Sequence, residues 1–223
     1  SWNPGDTTGT NGVGYVYKVA ARNIMGEGDL GTSNTEVMGN IPAQAAISLV
    51  TALGGLFIRI DWTHQNNNGY DISSYLLEYT IDGGSTWDNV DGTTNSSTNG
   101  LTGASQSQVP ETYTHGSLTE GTSYQYRLSA SNALSPPAGP LSTVPSAVIA
   151  GDVPDAPGSV TATANVGSSI TTTWTIPDDH EYTIDKYEIF RDGVSLDATL
   201  TVLTYTDNGL TDGTTYVYKV RAH

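Results

Sequence analysis

One alternating motif occurs three times along the chain and limits what the chain can fold into. Residues 15–23, 124–132 and 216–223 all follow the pattern Tyr-x-Tyr-x-Val/Leu-x-Ala, and their starting points are 109 and 92 residues apart. Apolar side chains at every second position are typical of a β-strand that buries one face. A motif that returns after about 100 residues indicates repeated domains of ordinary size rather than one large domain.

A turn motif precedes the last two copies of this strand. Residues 118–124 and 210–216 follow the pattern Leu-Thr-Glu/Asp-Gly-Thr-x-Tyr. The glycine permits a tight backbone, and the tyrosine hydroxyl can hydrogen-bond back across the turn, as in a tyrosine corner. The first copy keeps Gly12 but has Gly9 in place of the leucine. We therefore expect the corner of the first copy to be degraded or differently built.

A tryptophan strand occurs twice with the same spacing to the strand that follows it. Thirteen residues after Trp62 and Trp174, tyrosine-led strands begin at Tyr75 and Tyr187. Equal spacing in the two copies predicts that both segments share one fold. The predicted core rests on eight aromatic residues, which are Trp62, Tyr75, Tyr124, Tyr126, Trp174, Tyr187, Tyr216 and Tyr218.

These motifs, together with the proline-containing linkers at residues 39–42 and 151–157, resemble the fibronectin type III family. The resemblance implies an all-β chain of tandem, Ig-like β-sandwiches, each with seven strands and about 90–100 residues, in an elongated array. No segment keeps a helical apolar period over ten residues, so we expect no helix.

The resemblance also implies a division of the chain into three parts. Residues 1–41 would supply the last two strands (F and G) of a partial domain, and residues 42–152 a complete domain with an insert near 91–108. Residues 153–223 would form a partial domain that lacks its last strand. We expect a longer parent chain, in which the missing strands come from the same polypeptide or from a neighbouring copy.

Charge and composition exclude several classes of function. Eight Lys+Arg against 23 Asp+Glu give a net charge of −15, which opposes binding to nucleic acid. The absence of Cys excludes disulfides and thiolate chemistry. The apolar stretches are only a few residues long, so this segment is expected to contain no membrane span. A polar surface of Ser, Thr, Asn and Gly is unusual for a cytosolic enzyme, and the family resemblance implies an extracellular or cell-surface location.

Two motifs resemble sites known from enzymes, but their context favours turns. Residues 26–31 match Gly-x-Gly-x-x-Gly, yet a strand and not a helix is predicted to follow, so a hairpin loop is the better interpretation. Residues 80–87 match the Asp-box of sialidase propellers, in which the motif recurs once per blade, whereas here it occurs once. We expect a C–C′ hairpin turning at Asp82 and Gly83 and closed by Trp87.

The remaining candidate sites are an acidic loop and a glycosylation sequon. Asp178, Asp179, Glu181 and Asp185 form the densest acidic cluster and are weak candidates for a Ca²⁺ site, with a solvated loop as the alternative. Asn95 begins the Asn-x-Ser/Thr sequon inside the insert and is a candidate for glycosylation on a secretory route. No other cofactor is expected.

No arrangement of nucleophile, base and orienting acid is suggested, so we expect no enzyme activity in this segment. The main hypothesis is a structural repeat region of an extracellular filament, stalk or adhesin, with other domains of the same chain or further copies as partners. The second is a ligand- or glycan-binding adhesion module that uses the insert or the acidic loop. The third is an accessory region of a secreted carbohydrate-active enzyme.

Overall fold

The computed structural model describes residues 9–92, 101–103, 109–134 and 138–223, and these residues contain strands but no helix. The all-β prediction is therefore confirmed. In chain order the strands are β1 (Gly14–Val19), β2 (Arg22–Asn23), β3 (Gly26–Glu27), β4 (Gly31–Val37), β5 (Ile47–Leu53), β6 (Phe57–Trp62), β7 (Ser74–Thr80), β8 (Asp88–Asn89), β9 (Thr112–His115), β10 (Ser123–Ser131), β11 (Val148–Ile149), β12 (Gly158–Asn165), β13 (Ser169–Thr175), β14 (Tyr187–Arg191), β15 (Val194–Leu200), β16 (Thr204–Asn208) and β17 (Tyr218–Ala222).

The chain divides into two compact units. The first comprises Ser1–Thr51, Arg59–His115 and Tyr124–Val148. The second comprises Ala52–Ile58, Gly116–Ser123 and Ile149–His223. These units do not coincide with the domains expected from the sequence, so the boundaries at residues 41/42 and 152/153 stay a prediction.

The first unit begins with two small hairpins and continues into a β-sandwich. Strand β1 pairs with β4, from Gly14 opposite Val37 to Val19 opposite Gly31, and β2 pairs with β3. The sandwich consists of one sheet in the order β5-β6-β9 and another in the order β11-β10-β7-β8. Antiparallel sheets with one apolar face each bury that face by stacking on one another, as the alternating sequence predicts.

The core of the first sandwich is built around the predicted tryptophan and tyrosine. The rings of Trp62 and Tyr75 meet edge to face, with centroids 5.6 Å apart and planes at 66°. Both side chains are buried, as are Tyr124 and Tyr126 on β10. Edge-to-face packing of this kind contributes about 0.5–1.5 kcal/mol beyond the burial of the rings.

The second unit repeats this plan with sheets in the order β12-β13-β16 and β15-β14-β17. Trp174 and Tyr187 again meet edge to face, with centroids 5.7 Å apart and planes at 61°. Both rings are buried beside Ile189, which is fully inaccessible to solvent. The two tryptophan–tyrosine pairs therefore have nearly the same geometry in both units.

Two of the eight predicted core aromatics differ from expectation. Tyr216 and Tyr218 are only half-buried in the second unit. Polar partners hold both hydroxyls: Tyr216 accepts a hydrogen bond from the exposed backbone N–H of Thr211 at 3.1 Å, and Tyr218 donates one to the buried carboxylate of Asp207 at 2.8 Å. The sequence pattern identifies which face a ring lies on, but not the polar partner of its hydroxyl.

The corner of the first copy is also better preserved than its sequence suggests. The hydroxyl of Tyr15 accepts a hydrogen bond from the backbone N–H of Thr10 at 2.7 Å. The same five-residue relation joins Tyr216 to Thr211. The donor is a backbone group, so the loss of the leucine at Gly9 leaves this bond intact.

The core of the second unit can be tested at Ile189. Replacing it with alanine should lower the free energy of unfolding by about 2–5 kcal/mol, because the change removes buried methyl groups and leaves a cavity. Val166 is 99% exposed, so Val166→Ala should change the free energy by no more than about 0.5 kcal/mol. Urea denaturation followed by tryptophan fluorescence measures both variants. Equal effects at the two positions would contradict this core assignment.

Candidate functional site

The acidic loop was predicted as a candidate calcium site. Two of its carboxylates instead accept hydrogen bonds from the backbone of the loop itself. The carboxylate of Asp178 accepts the backbone N–H of His180 at 3.0 Å, and that of Asp179 accepts the N–H of Glu181 at 3.3 Å. His180 and Glu181 both have left-handed backbone conformations, with φ of 49° and 73°. Short polar side chains commonly stabilise such turns through bonds to the backbone two residues on. The two aspartates thus shape the loop.

A histidine lies at the centre of this loop, and carboxylates surround it. The imidazole of His180 hydrogen-bonds Glu120 through Nδ1, and its Nε2 lies 3.5 Å from the carboxylate of Asp155. The bond to Glu120, supported by Asp155, raises the pKa of His180 above its ordinary value. The carboxylates around His180 therefore favour the protonated form of its imidazole.

The structure brings no metal-binding group together in the part of the chain that it describes. Within residues 9–92, 101–103, 109–134 and 138–223, no three His, Asp or Glu side chains lie where they could share a metal ion. Asp185 is placed by its backbone N–H, which donates to the carbonyl of His223 at 2.9 Å. The calcium expectation therefore receives no support. Asn95 and most of the insert near 91–108 lie outside the described residues.

The Asp-box motif forms the hairpin turn that its sequence predicts. The carboxylate of Asp82 accepts hydrogen bonds from the hydroxyls of Thr80 and Thr86, both at 2.6 Å, and from the N–H of Thr86 at 3.0 Å. These bonds, that of Thr80 first, lower the pKa of Asp82. Trp87 closes the turn under the guanidinium of Arg127, which lies 4.3 Å from the ring centroid. The carboxylate's bonds are internal to the turn, so Asp82 acts structurally.

A second histidine has the opposite environment to His180. His115, in the first unit, is buried, and its Nδ1 lies 3.1 Å from the hydroxyl of Tyr126. Burial lowers the pKa of His115 to about 4, because the apolar surroundings disfavour the charged imidazole. A neutral, buried histidine of this kind belongs to the core and has no nucleophile beside it among the contacts found.

The sequence analysis missed two tyrosines that form long-range contacts. The hydroxyl of Tyr70 donates to the carbonyl of Val37 at 2.9 Å, and that of Tyr182 donates to the carbonyl of Ile149 at 2.7 Å. Each tyrosine follows its strand tryptophan, Trp62 or Trp174, by eight residues. That shared spacing is the sequence signal that marks both tyrosines.

The family follows from the comparison of this chain with known domains. Residues 155–223 match the family model described as "Fibronectin type III domain". The fold is similar to that of the FN1–FN3 domains of chicken CNTN1 in a crystal structure, with a TM-score of 0.51 and 18% identity. That alignment covers 95% of this chain and 71% of the other. Residues 155–223 are therefore a fibronectin type III domain, and the chain as a whole has a fold similar to that of tandem domains of this type.

The chain is also similar in sequence to three chitinases. It is 32% identical over 198 residues to Chitinase 63 of Streptomyces plicatus and 31% identical over 203 residues to Chitinase C of Streptomyces lividans. These alignments cover 81% of this chain but only 30% and 29% of the chitinases. Chitinase A1 of Niallia circulans is 36% identical over 120 residues, half of this chain and 16% of that one.

The chain therefore spans less than a third of the length of the chitinases that it matches. Among the residues that the structure describes, no helix is long and apolar enough to cross a membrane.

The two histidines should give the protein opposite responses to pH in its two units. The raised pKa of His180 stabilises the folded second unit below pH of about 6.5, and this stabilisation is lost as pH rises through the folded pKa. The pKa of about 4 for His115 stabilises nothing above pH of about 6.5, and it weakens the first unit as pH falls from there towards 4.

Thermal unfolding from pH 4 to 8 measures these responses. His180→Asn should abolish the loss at higher pH, and His115→Gln the loss at lower pH, since neither replacement titrates. Asn is the matched choice at position 180, because Asn68 has nearly the same backbone conformation, with φ of 51°. If both variants keep the wild-type profile, other groups control the pH response.

Proposed function

We propose that this chain is a non-catalytic accessory region of a longer, extracellular polysaccharide-degrading enzyme whose substrate class is chitin. The observation that supports this proposal is the similarity to three chitinases, which extends over half to four-fifths of the chain and yet accounts for less than a third of each enzyme. An accessory region is the part of an enzyme that a non-catalytic sandwich can supply.

The described residues suit a spacer better than a reactive site. Their polar groups are used within turns and strand edges: Asp82 shapes a hairpin, Asp178 and Asp179 shape a loop, and His115 belongs to a core. Densely packed sandwiches deform little, so they hold the domains on either side of them apart. A net charge of −15 keeps such a spacer soluble and discourages adsorption to other acidic surfaces.

The filament, stalk and adhesin functions remain predictions, as do glycans and further copies of the chain as partners. The enzyme-accessory proposal differs from them in one measurable respect. A spacer contributes only when the domains that it separates act on one extended substrate, whereas an adhesin binds its target without help from a catalytic domain.

Deletion of residues 42–152 from the full-length parent protein tests the proposal. Hydrolysis of soluble chitin oligosaccharides should be unchanged, because the catalytic domain is untouched. Hydrolysis of insoluble chitin should fall by about two- to tenfold, since the separation of the domains alters their effective concentration on the surface. Initial rates on both substrates provide the measurement.

Two controls distinguish a spacer from other functions. One unrelated β-sandwich of similar length, inserted in place of the deletion, should restore activity on insoluble chitin. The isolated chain should neither hydrolyse chitin nor sediment with it. Sedimentation of the isolated chain with chitin would show a binding module, and loss of activity on soluble substrate would show a catalytic contribution; either result contradicts the proposal.

A further inference from the structure

Two five-residue loops in this chain have the same internal hydrogen bonds although four of their five residues differ. The first docking loop, residues 66–70, has the sequence Asn-Asn-Asn-Gly-Tyr, and the second docking loop, residues 178–182, has Asp-Asp-His-Glu-Tyr. In each, the first side chain accepts the N–H of the third residue, at 2.9 and 3.0 Å. The second side chain accepts the N–H of the fourth, at 3.1 and 3.3 Å.

Each loop also makes the same two hydrogen bonds to groups outside it. The tyrosine hydroxyl donates to the carbonyl of the last residue of the strand before the linker, Val37 of β4 for the first loop and Ile149 of β11 for the second. The carbonyl of the first loop residue accepts an N–H from the start of the following segment, Ala43 or Asp155, at 3.0 Å in both cases. Every contact of the first loop lies within the first unit, and every contact of the second lies within the second unit.

A glycine turn completes each arrangement. Gly12 donates its N–H to the carbonyl of Met38 at 2.8 Å, and Met38 returns a bond to the turn at 3.1 Å. In the second arrangement Gly121 donates its N–H to the carbonyl of Ala150 at 2.9 Å, and Ala150 donates its N–H to the carbonyl of Thr122 in the same turn at 3.0 Å. Both glycines have φ between 70° and 80°, the left-handed conformation that favours glycine.

The linkers are shaped to receive the tyrosine ring. A Cβ atom at Gly39 would lie 2.6 Å from a ring carbon of Tyr70, and one at Gly151 would lie 2.8 Å from a ring carbon of Tyr182. Real side chains do not tolerate such distances, so only glycine permits the ring to pack against the linker. The two linkers therefore match their loops in shape as well as in hydrogen bonding.

We propose that residues 66–70 and 178–182 are two copies of a peptide-docking loop whose ligand is the chain's own linker and glycine turn. The polar groups that both loops bind belong to the backbone of the linker and turn. The loop therefore recognises the course of the main chain, and it requires glycine at positions 39 and 151 because a side chain there would clash. The inference is independent of the accessory function, because it concerns how the linkers are held and applies equally to a filament.

The third residue of each loop makes a different contact, charged in the second loop and neutral in the first. Docking of the linker therefore does not depend on the charge of the loop. In the second docking loop, the ring of His180 contacts Glu120 and Asp155. In the first, Asn68 at the equivalent place donates to the carbonyl of Ile41 at 2.8 Å. The tyrosine is the side chain that both loops keep, so its hydroxyl is the group to remove.

Amide hydrogen exchange in the intact chain, followed residue by residue by NMR, tests the proposal. Tyr182→Phe should accelerate exchange at Gly121 and Ala150 by about fivefold or more, the effect of losing one hydrogen bond, and should leave Gly12 and Met38 within twofold. Tyr70→Phe should give the reverse pattern. Each variant thus serves as the matched control for the other, and unchanged exchange at Ile189 shows that the core is intact.

A second pair of variants tests the linker side of the contact. Gly151→Ala should reproduce the pattern of Tyr182→Phe, because its Cβ would clash with the backbone carbonyl of His180 and with the ring of Tyr182 and so displace the loop. Gly31→Ala is the control, since a Cβ there meets its nearest atom at 3.7 Å. Exchange at Gly121 and Ala150 that stays within twofold of wild type in both Tyr182→Phe and Gly151→Ala, or an equal acceleration at both loops, would overturn the proposal.

Discussion

Edge-to-face packing between a tryptophan and the tyrosine thirteen residues later sets the plan of both sandwiches. The pair joins one sheet to the other, since Trp62 lies on β6 and Tyr75 on β7, while Trp174 lies on β13 and Tyr187 on β14. Two large rings bury more apolar area than any other pair in a small core. Their contact therefore determines which faces of the two sheets pack together. The apolar side chains of the alternating strands lie on those faces.

The sequence predicted this plan because each part of it is local and periodic. Alternation within a strand, the glycine turn before it and the spacing between tryptophan and tyrosine can all be read within a few tens of residues. The hairpin at Asp82 was predictable for the same reason, since its bonds join residues at most four positions apart. A structure that depends only on residues within one short segment can be predicted from a single sequence.

The acidic loop shows where such prediction fails. The four carboxylates from Asp178 to Asp185 suggested a cation site, and the group found among them is the imidazole of His180, whose partner Glu120 lies sixty residues earlier. The role of Tyr182 was hidden in the same way, because its acceptor Ile149 lies thirty-three residues before it and is a backbone carbonyl. Composition does not show which of many carboxylates lies beside His180, and a backbone acceptor such as that of Tyr182 leaves no mark on the residue type, so neither contact could be deduced from composition.

Comparison of the two loops separates what the fold requires from what it tolerates. Asn66 and Asp178 make the same bond to the backbone, so the turn needs a side-chain oxygen and not a negative charge. The fourth loop residue is Gly69 in one copy and Glu181 in the other, although both are left-handed, which costs Glu181 about 1 kcal/mol or more in backbone strain. Such strain persists only where surrounding contacts over-determine the conformation. The repeated bonds from linker, turn and tyrosine are contacts of that kind, which is why a loop of such different charge keeps one shape.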